Sequence, residues 1–397
     1  MKFKAFFKLL TRHDPALDRL PEQKKIIISA LILGSGHSGI LHYIVATTTE
    51  LLKDHQVTLL IHPSDRAMFP LLHDNLHFIE IPESLKKPVL SALFHLYILP
   101  WWPGFKRYDL VFLPAGNRRL FAHYPPQTIL TFHVLPQFSL SHKHDFIRLL
   151  YLKFMMGRYL HKAPIIYATS ESTKNDLRRL FGIPGNRIRV NYNGYDPASL
   201  ENPTALSDLI TKYSIKGKYI LYVSRIGDPA RNHLNLLAAY QKLVQTVGDQ
   251  YELVCVGEIL DGADKVMLSW SRLGCQRQIH FPGYVERPDL AGLYKHASLY
   301  VLPSLHEVYG IPLLEAFASG VPVVCSNTSS LPEIGKNAVL TFNPQRPKEI
   351  AKAMSSVLQS VELANQLTAR AYKRLEDFSW ERHCKRLLET MQGGADS

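Results

Sequence analysis

Continuous apolar runs alternate along the chain with stretches whose apolar positions recur every three or four residues. "KIIISALIL" over residues 25–33 is apolar on both faces, as a strand inside a parallel sheet is. A glycine-bearing turn follows, then a helical stretch to about Leu52, then "VTLLI" over residues 57–61, which together make a β-α-β unit. Further strands are predicted for "DLVFL" (109–113), "TILTF" (128–132), "IIYA" (165–168) and "IRV" (188–190). Beyond Asp196 the pattern softens into "DPASLENPTALSD", polar with two prolines, which reads as a linker or a short excursion. The pattern then restarts with "YILYV" (219–223), a helix over residues 233–247, "YELVCV" (251–256), "QIHF" (278–281), "SLYVLP" (298–303), "VPVVC" (321–325) and "AVLTF" (338–342). Two β/α runs of similar size predict two Rossmann-like domains, with no short internal repeat or low-complexity tract. The expected division is a basic N-terminal extension over residues 1–24, a first domain over 25–200, a second over 201–376, and a final helix and tail over 377–397.

Composition narrows the partners. The 397 residues carry 46 Lys and Arg against 34 Asp and Glu, a net of +12, and 46% are hydrophobic. That surplus points to an anionic partner: a phosphorylated ligand, an acidic membrane surface or nucleic acid. Four scattered cysteines without a CxxC pair argue against a zinc site or a disulfide framework, and fit a reducing cytoplasm. The start, "MKFKAFFKLL", lacks the small-residue cleavage site of a secretory signal. No apolar run reaches the ~18 residues that span a bilayer; "LSALFHLYILPWWPG" over residues 90–104 is too short and is broken by two prolines.

One stretch, "HEVYGIPLLEAFASGVP" over residues 306–322, concentrates the candidate chemistry. Glu307 lies on a loop after a predicted strand, where open α/β sheets bind ligands. Gly310 allows a backbone conformation that a larger residue resists, and Pro312 suits a first helical turn. Amides at that turn favour an anion, and Glu315 is expected in the first turn, within reach of a ligand at the helix mouth. Gly320 closes the helix. An anion site beside two carboxylates, which bind hydroxyls, suits a nucleotide sugar. The plainer alternative makes Glu315 a complement to the helix dipole and Glu307 a solvated loop residue.

This stretch resembles the E-x7-E motif of retaining glycosyltransferases of the GT-B fold, family 4 (glycosyl transferases group 1). The resemblance runs from about Lys25 to Met391. It is carried in order by "SGILHYIVATTTELL" (38–52), "TFHVLP" (131–136), "YATSESTKNDLRRLFGIPGNRIRVNYNGYD" (167–196) and "ILYVSRIGDPARNHLNLLAAY" (220–240). It implies two Rossmann-like domains facing a central cleft, with the helix of "DFSWERHCKRLLETM" (377–391) crossing back to the first domain through Trp380, Leu387 and Leu388. It implies that Glu315 binds the nucleotide ribose and that Glu307 contacts the donor sugar. Arg225 and Arg231 would neutralise the diphosphate, Gly39 would admit the phosphates, and His133 would line the sugar pocket. Gly310 and Ile311 belong to the same donor-binding turn.

Two positions depart from the family pattern: Arg231 stands where lysine is usual, and Val134 where many relatives carry aspartate. No DxD-like pair stands at a strand end, so no metal and no cofactor are expected beyond the nucleotide-sugar substrate. "SNTSSLPEI" (326–334) and "RNHLNLL" (231–237) look most like users of GDP-mannose, with UDP-sugars as the alternative. The implied acceptor is a glycan or a lipid-linked one, in polysaccharide or glycoconjugate synthesis.

The basic amphipathic stretch over residues 141–163 and the N-terminal ten residues raise peripheral contact with the inner face of a membrane. Trp101 and Trp102 are candidates for an acceptor groove or for simple packing. Other readings are a non-catalytic nucleotide-sugar-binding partner subunit and an epimerase on the same fold. The latter would need a further acid/base set in the first domain. Nucleic acid is disfavoured because the cations are dispersed and no helix-turn-helix appears. A dehydrogenase would rest on "GSGHSG" (34–39) alone, without the acidic residue at the end of the second strand.

Overall fold

The computed structural model describes residues 23–31, 39–133, 156–196, 200–227 and 229–392. The N-terminal ten residues, most of "GSGHSG", Val134 and residues 141–155 of the basic stretch lie outside the described residues. The chain forms two compact units, Met1–Gly194 with Trp380–Ser397, and Tyr195–Ser379.

In the first unit, β1 (Lys25–Ser29) is followed by α1 (Gly39–Leu51), β2 (Gln56–Ile61), β3 (Leu76–Glu80), α2 (Pro88–Leu93), β4 (Leu110–Leu113), β5 (Thr128–Phe132), β6 (Ile165–Ala168), α3 (Glu171–Phe181) and β7 (Ile188–Val190). The strands form one sheet in the order β3-β2-β1-β4-β5-β6-β7, and every pair is parallel. The all-apolar reading of β1 has a direct cause. Ile26 and Ile28 pack in a core with Tyr43, Ile44 and Leu51 of α1. Ile27 packs in a second core with Phe94, Leu99 and Phe105. A strand covered on both faces has no polar side to show. The apolar run outlasts the strand, because Ala30 and Leu31 stay buried after the chain leaves the sheet. β3, "LHFIE", was not foreseen. It is an edge strand with no fully buried residue, so it lacks the apolar run that marked the others.

In the second unit, β8 (Lys218–Val223), α4 (His233–Val247), β9 (Tyr251–Val256), β10 (Ile279–Gly283), α5 (Arg287–His296), β11 (Leu299–Leu302), α6 (Ile311–Ala318), β12 (Val323–Ser326) and β13 (Leu340–Phe342) follow. The sheet order is β10-β9-β8-β11-β12-β13, again all parallel. The polar stretch after Asp196 is tied to this unit: the Thr204 amide donates to the Pro288 carbonyl at 3.0 Å, and its hydroxyl to Asp289 at 2.7 Å.

The last helix, α7 (Trp380–Gln392), returns to the first unit. Leu387 and Cys384 are buried in the α1 core, with Trp380, Leu388 and Met391 against it. A polar chain fixes the seat. His383 Nδ1 lies 2.9 Å from the Tyr192 carbonyl, which can only accept, so Nδ1 carries the proton. Nε2 therefore accepts from the Tyr43 hydroxyl at 2.9 Å, and Tyr43 in turn accepts from Thr131 at 3.1 Å. Gly194 lets the chain pass Trp380, because a Cβ there would sit 2.4 Å from the indole.

Candidate functional site

The second sheet reverses its winding between β8 and β11, since β9 and β10 lie to one side and β12 and β13 to the other. Ligands bind in parallel sheets beyond the carboxyl ends of the strands at such a point. The loop after β8 carries Arg225 and Arg231, and the loop after β11 carries Glu307. These two loops meet: Arg231 Nη1 donates to Glu307 Oε2 in an ion pair with both side chains largely buried. Glu307 is therefore not a solvated loop residue. Arg225 is exposed.

Both loops are held from beneath. The Tyr222 hydroxyl donates to the Arg231 carbonyl at 2.6 Å, and the Leu305 amide donates to the Ala230 carbonyl at 2.8 Å. Asn232, with φ of 63°, donates its side-chain amide to the Pro303 carbonyl at 2.9 Å and the Pro344 carbonyl at 2.8 Å. Ser329, with φ of 51°, accepts from the Glu307 amide at 2.8 Å, and the Ser330 hydroxyl donates to the Glu307 carbonyl at 2.8 Å. Left-handed backbone at two non-glycine residues, one next to Arg231 and one bonded to Glu307, is strain concentrated where the charged groups meet. Gly257 lets the β9 loop approach the Arg225 loop: its φ is +152°, and a Cβ would lie 1.9 Å from the Ser224 carbonyl oxygen.

Gly310 has φ of +96° and precedes α6, which begins at Ile311 with Pro312 second. Glu315 is then the fifth helical residue, not a first-turn residue as expected. The helix starts one residue earlier than the Pro312 start read from the sequence, which moves Glu315 into the second turn. It is buried, so complementing the helix dipole does not account for it. Burial raises its pKa, an effect the Tyr294 hydroxyl and Arg287 oppose. Tyr294 donates to Oε2 at 3.0 Å, and Arg287 Nη1 lies 3.5 Å from Oε1. A buried carboxylate aligned by a buried phenol is a preorganised acceptor for ligand hydroxyls. Gly320, φ +72°, ends the helix as expected.

In the first unit, Gly39 opens α1 and His133 follows β5, also at the carboxyl edge of the sheet. Among the described residues, a Cβ on Gly39 would meet nothing within 4 Å, so their packing does not demand glycine there. His133 Nε2 donates to the Pro114 carbonyl at 2.7 Å, which leaves Nδ1 as the acceptor. Its ring meets Tyr43 of α1 edge-on at 4.5 Å. Burial lowers the His133 pKa to about 4, so the ring is neutral at pH 7. Trp102 is core against Phe105, whereas Trp101 faces outward, stacked on His123 at 4.8 Å.

Sequence reading missed Tyr294, Arg287, Ser329 and Asn232 as supports. "LYKHASLYVLP" and "SNTSSLPEI" contain two of them, but nothing local shows that a tyrosine on α5 faces a glutamate on α6, or that a serine after β12 bonds the loop after β11.

Comparisons with known proteins identify the family. Residues 37–199 match the model described as Glycosyltransferase Family 4, and residues 210–374 match Glycosyl transferases group 1. The chain is 32% identical to the O-antigen chain mannosyltransferase B of Escherichia coli over 65% of its own length and 68% of that protein's. It is 34% identical to a Mycobacterium tuberculosis GDP-mannose-dependent alpha-(1-6)-phosphatidylinositol dimannoside mannosyltransferase, over 28% of this chain and 29% of that one. A glycosyltransferase crystal structure from Rickettsia africae superposes with a TM-score of 0.70 at 17% identity, covering 95% of this chain and all of that one. With two parallel sheets of seven and six strands and both family models matched in order, the chain belongs to the group 1, family 4 glycosyltransferases, with the GT-B fold.

Proposed function

We propose that this glycosyltransferase moves mannose from GDP-mannose to a glycan or lipid-linked acceptor in polysaccharide or glycoconjugate synthesis. In this reading the anomeric configuration is retained, no metal takes part, and the protein works in peripheral contact with the inner face of the membrane. The observation that carries the donor site is the meeting of Arg231 and Glu307 at the β8/β11 switch point, with Glu315 fixed on α6. The named activities of the E. coli and mycobacterial relatives favour mannose, and the mycobacterial one favours GDP.

Glu315 accepts from the ribose hydroxyls, and Glu307 from hydroxyls of the sugar. Gly310 and Ile311 present the start of α6 to the diphosphate, with Arg225 and Arg231 supplying charge. An arginine fork can serve a carboxylate and a phosphate together, which a lysine cannot do in the same way. Gly39 leaves room for phosphate beside the first loop. As the bond from the sugar carbon to the phosphate oxygen breaks, charge builds on the departing diphosphate, and the arginines stabilise it without a metal. The acceptor hydroxyl bonds to the same face of that carbon, and its proton passes to the departing phosphate. His133, neutral with Nδ1 as acceptor, lines the sugar pocket and is not the base.

Thermal-shift titration with GDP, UDP, GDP-mannose and UDP-sugars, in EDTA, tests this reading. GDP and GDP-mannose are expected to stabilise the protein, and Glu315→Ala and Arg225→Ala to abolish the shift. Preference for UDP would overturn the donor assignment. No response to any nucleotide would favour a partner subunit without catalysis.

A further inference from the structure

We infer that the outer face of the helical run formed by α2 and the turns Phe94–Ile98 and Leu99–Trp101 docks onto an anionic phospholipid bilayer. The inference rests on the reading of peripheral membrane contact and adds which face makes it. Val89, Leu93, Tyr97 and Trp101 recur every four residues and are 71%, 48%, 43% and 65% exposed; Leu90 beside them is 46% exposed. The opposite side of the run, with Phe94, Leu96 and Leu99, is buried in the first unit's core. The run is therefore held firmly by one face while it shows large apolar side chains on the other. Trp101 stacks on His123 and the Tyr97 hydroxyl bonds Tyr159, yet the two residues stay 65% and 43% exposed, and water does not favour an apolar face of this size.

Charge identifies the occupant. Residues 87–133 contain five Lys and Arg and one acidic residue, Asp109, whose carboxylate accepts from the Lys25 amide at 2.8 Å; Lys86, just before them, is paired with Asp65 at 2.7 Å and adds no free charge. Three cations stand beside the run. Lys87 precedes the first turn of α2. Arg119 donates to the Ser91 hydroxyl at 3.2 Å. Lys162 lies 5.8 Å from the Tyr159 ring, and the Tyr159 hydroxyl bonds to that of Tyr97 at 2.7 Å. Aliphatic residues, a tyrosine and a tryptophan within a basic rim match an interface between acyl chains and anionic headgroups. A second copy of the chain fits less well, because a self-complementary contact would set basic rim against basic rim.

The test uses the full chain and sedimentation with vesicles of phosphatidylcholine, alone or mixed with phosphatidylglycerol. The expected result is salt-sensitive binding to the anionic vesicles, reduced at least about tenfold in Leu93→Glu/Trp101→Glu, which removes two apolar anchors. Thermal melting and the GDP shift should be unchanged in that variant. In parallel, brominated lipid should quench tryptophan fluorescence of the wild type, and Trp101→Phe should lose most of the quenching. If the wild type ignores anionic vesicles, membrane contact and this surface fall together. If the wild type binds and the double variant binds equally, the contact stands and this face is the wrong one. If Leu93→Glu instead splits a dimer and leaves vesicle binding intact, a second copy covers the stripe and the inference is overturned.

Discussion

The two units are wound alike around parallel sheets, and both bury tyrosines, but the buried histidines whose pKa values are pushed down lie in the first. The first buries histidines: His95, His133 and His383, with pKa values pushed down by burial to about 3, 4 and 4. The second buries tyrosines around its carboxylates: Tyr222, Tyr294 and Tyr300, all pushed up by burial. Each set is neutral at pH 7, so neither leaves an unpaired charge in a core. Their roles differ. The histidines of the first unit tie elements together: His95 bonds the Ser29 hydroxyl, and His383 seats the last helix. In the second unit, phenols of the central strand and of α5 hold groups of the proposed donor site, Tyr222 at Arg231 and Tyr294 at Glu315. His95 and His383 thus serve assembly, whereas Tyr222 and Tyr294 brace charged groups.

The largest expected effect follows from the histidines. Each has a folded pKa below its unfolded value, so between about pH 6.5 and 4 the unfolded chain binds more protons than the folded one. Stability is intact above pH 6.5 and falls as the pH drops through that window. Each histidine then costs about 2 kcal/mol at pH 5. Urea unfolding at pH 7 and pH 5, followed by tryptophan fluorescence, reads this directly. Trp101, Trp102 and Trp380 lie in the first unit and Trp270 in the second. The midpoint should fall at pH 5, and His383→Gln should lose less stability between the two pH values than the wild type does. A midpoint independent of pH would mean that these rings are protonated in the fold, and the contrast between the units would fail.

That contrast was only partly legible in the sequence. The predicted bounds of β5, β6, β9 and α4 agree with the structure because continuous burial and amphipathic spacing are local properties of a chain. β3 was missed because an edge strand buries too little to write an apolar run. Trp101 and Trp102 are adjacent and chemically identical, yet one is core and the other faces out. Only the tertiary path decides which. Glu307 and Arg231 are 76 positions apart, and periodicity says nothing about their meeting; the family resemblance named them, and the pair itself emerged from the sheet order. Glu315 was set one turn too early. Its burial against Tyr294 could not be read from a motif.

On the second unit's side, the Arg231–Glu307 pair comes next in size. Arg231→Met should lower kcat by about 10²–10³, as loss of a group that stabilises transition-state charge does. Arg231→Lys keeps the charge and the family's usual residue, and should stay within about tenfold of wild type. If lysine were as damaging as methionine, the fork bridging Glu307 and the phosphate, rather than the charge, would be the essential property. Gly257→Ala is a structural counterpart. With a Cβ driven against the Ser224 carbonyl, the β8 and β9 loops must part, and the melting temperature should drop by several degrees along with donor binding. An unchanged melting temperature would show that the loop carrying Arg225 adjusts without cost.

The smallest effect is the most specific to the carboxylate side. Tyr294→Phe removes one hydroxyl and leaves the packing of a buried ring. Glu315 then loses its 3.0 Å donor while remaining buried, and a lost bond to a buried charged group costs about 1–3 kcal/mol. In the free protein this raises the Glu315 pKa further, because burial already raises it and the phenol's hydrogen bond helps to hold it down. GDP binding should therefore weaken about tenfold at pH 7, and more at pH 5, because a carboxyl whose pKa is raised gains protons as the pH falls and accepts less well from the ribose. Calorimetric titration at the two pH values separates this from a general loss of stability, which would lower the melting temperature without steepening the pH dependence of binding. Equal weakening at both values would mean that Tyr294 orients the carboxylate without setting its charge, and a GDP affinity equal to wild type would mean that Arg287 alone, 3.5 Å away on the other oxygen, is enough to hold Glu315 in place.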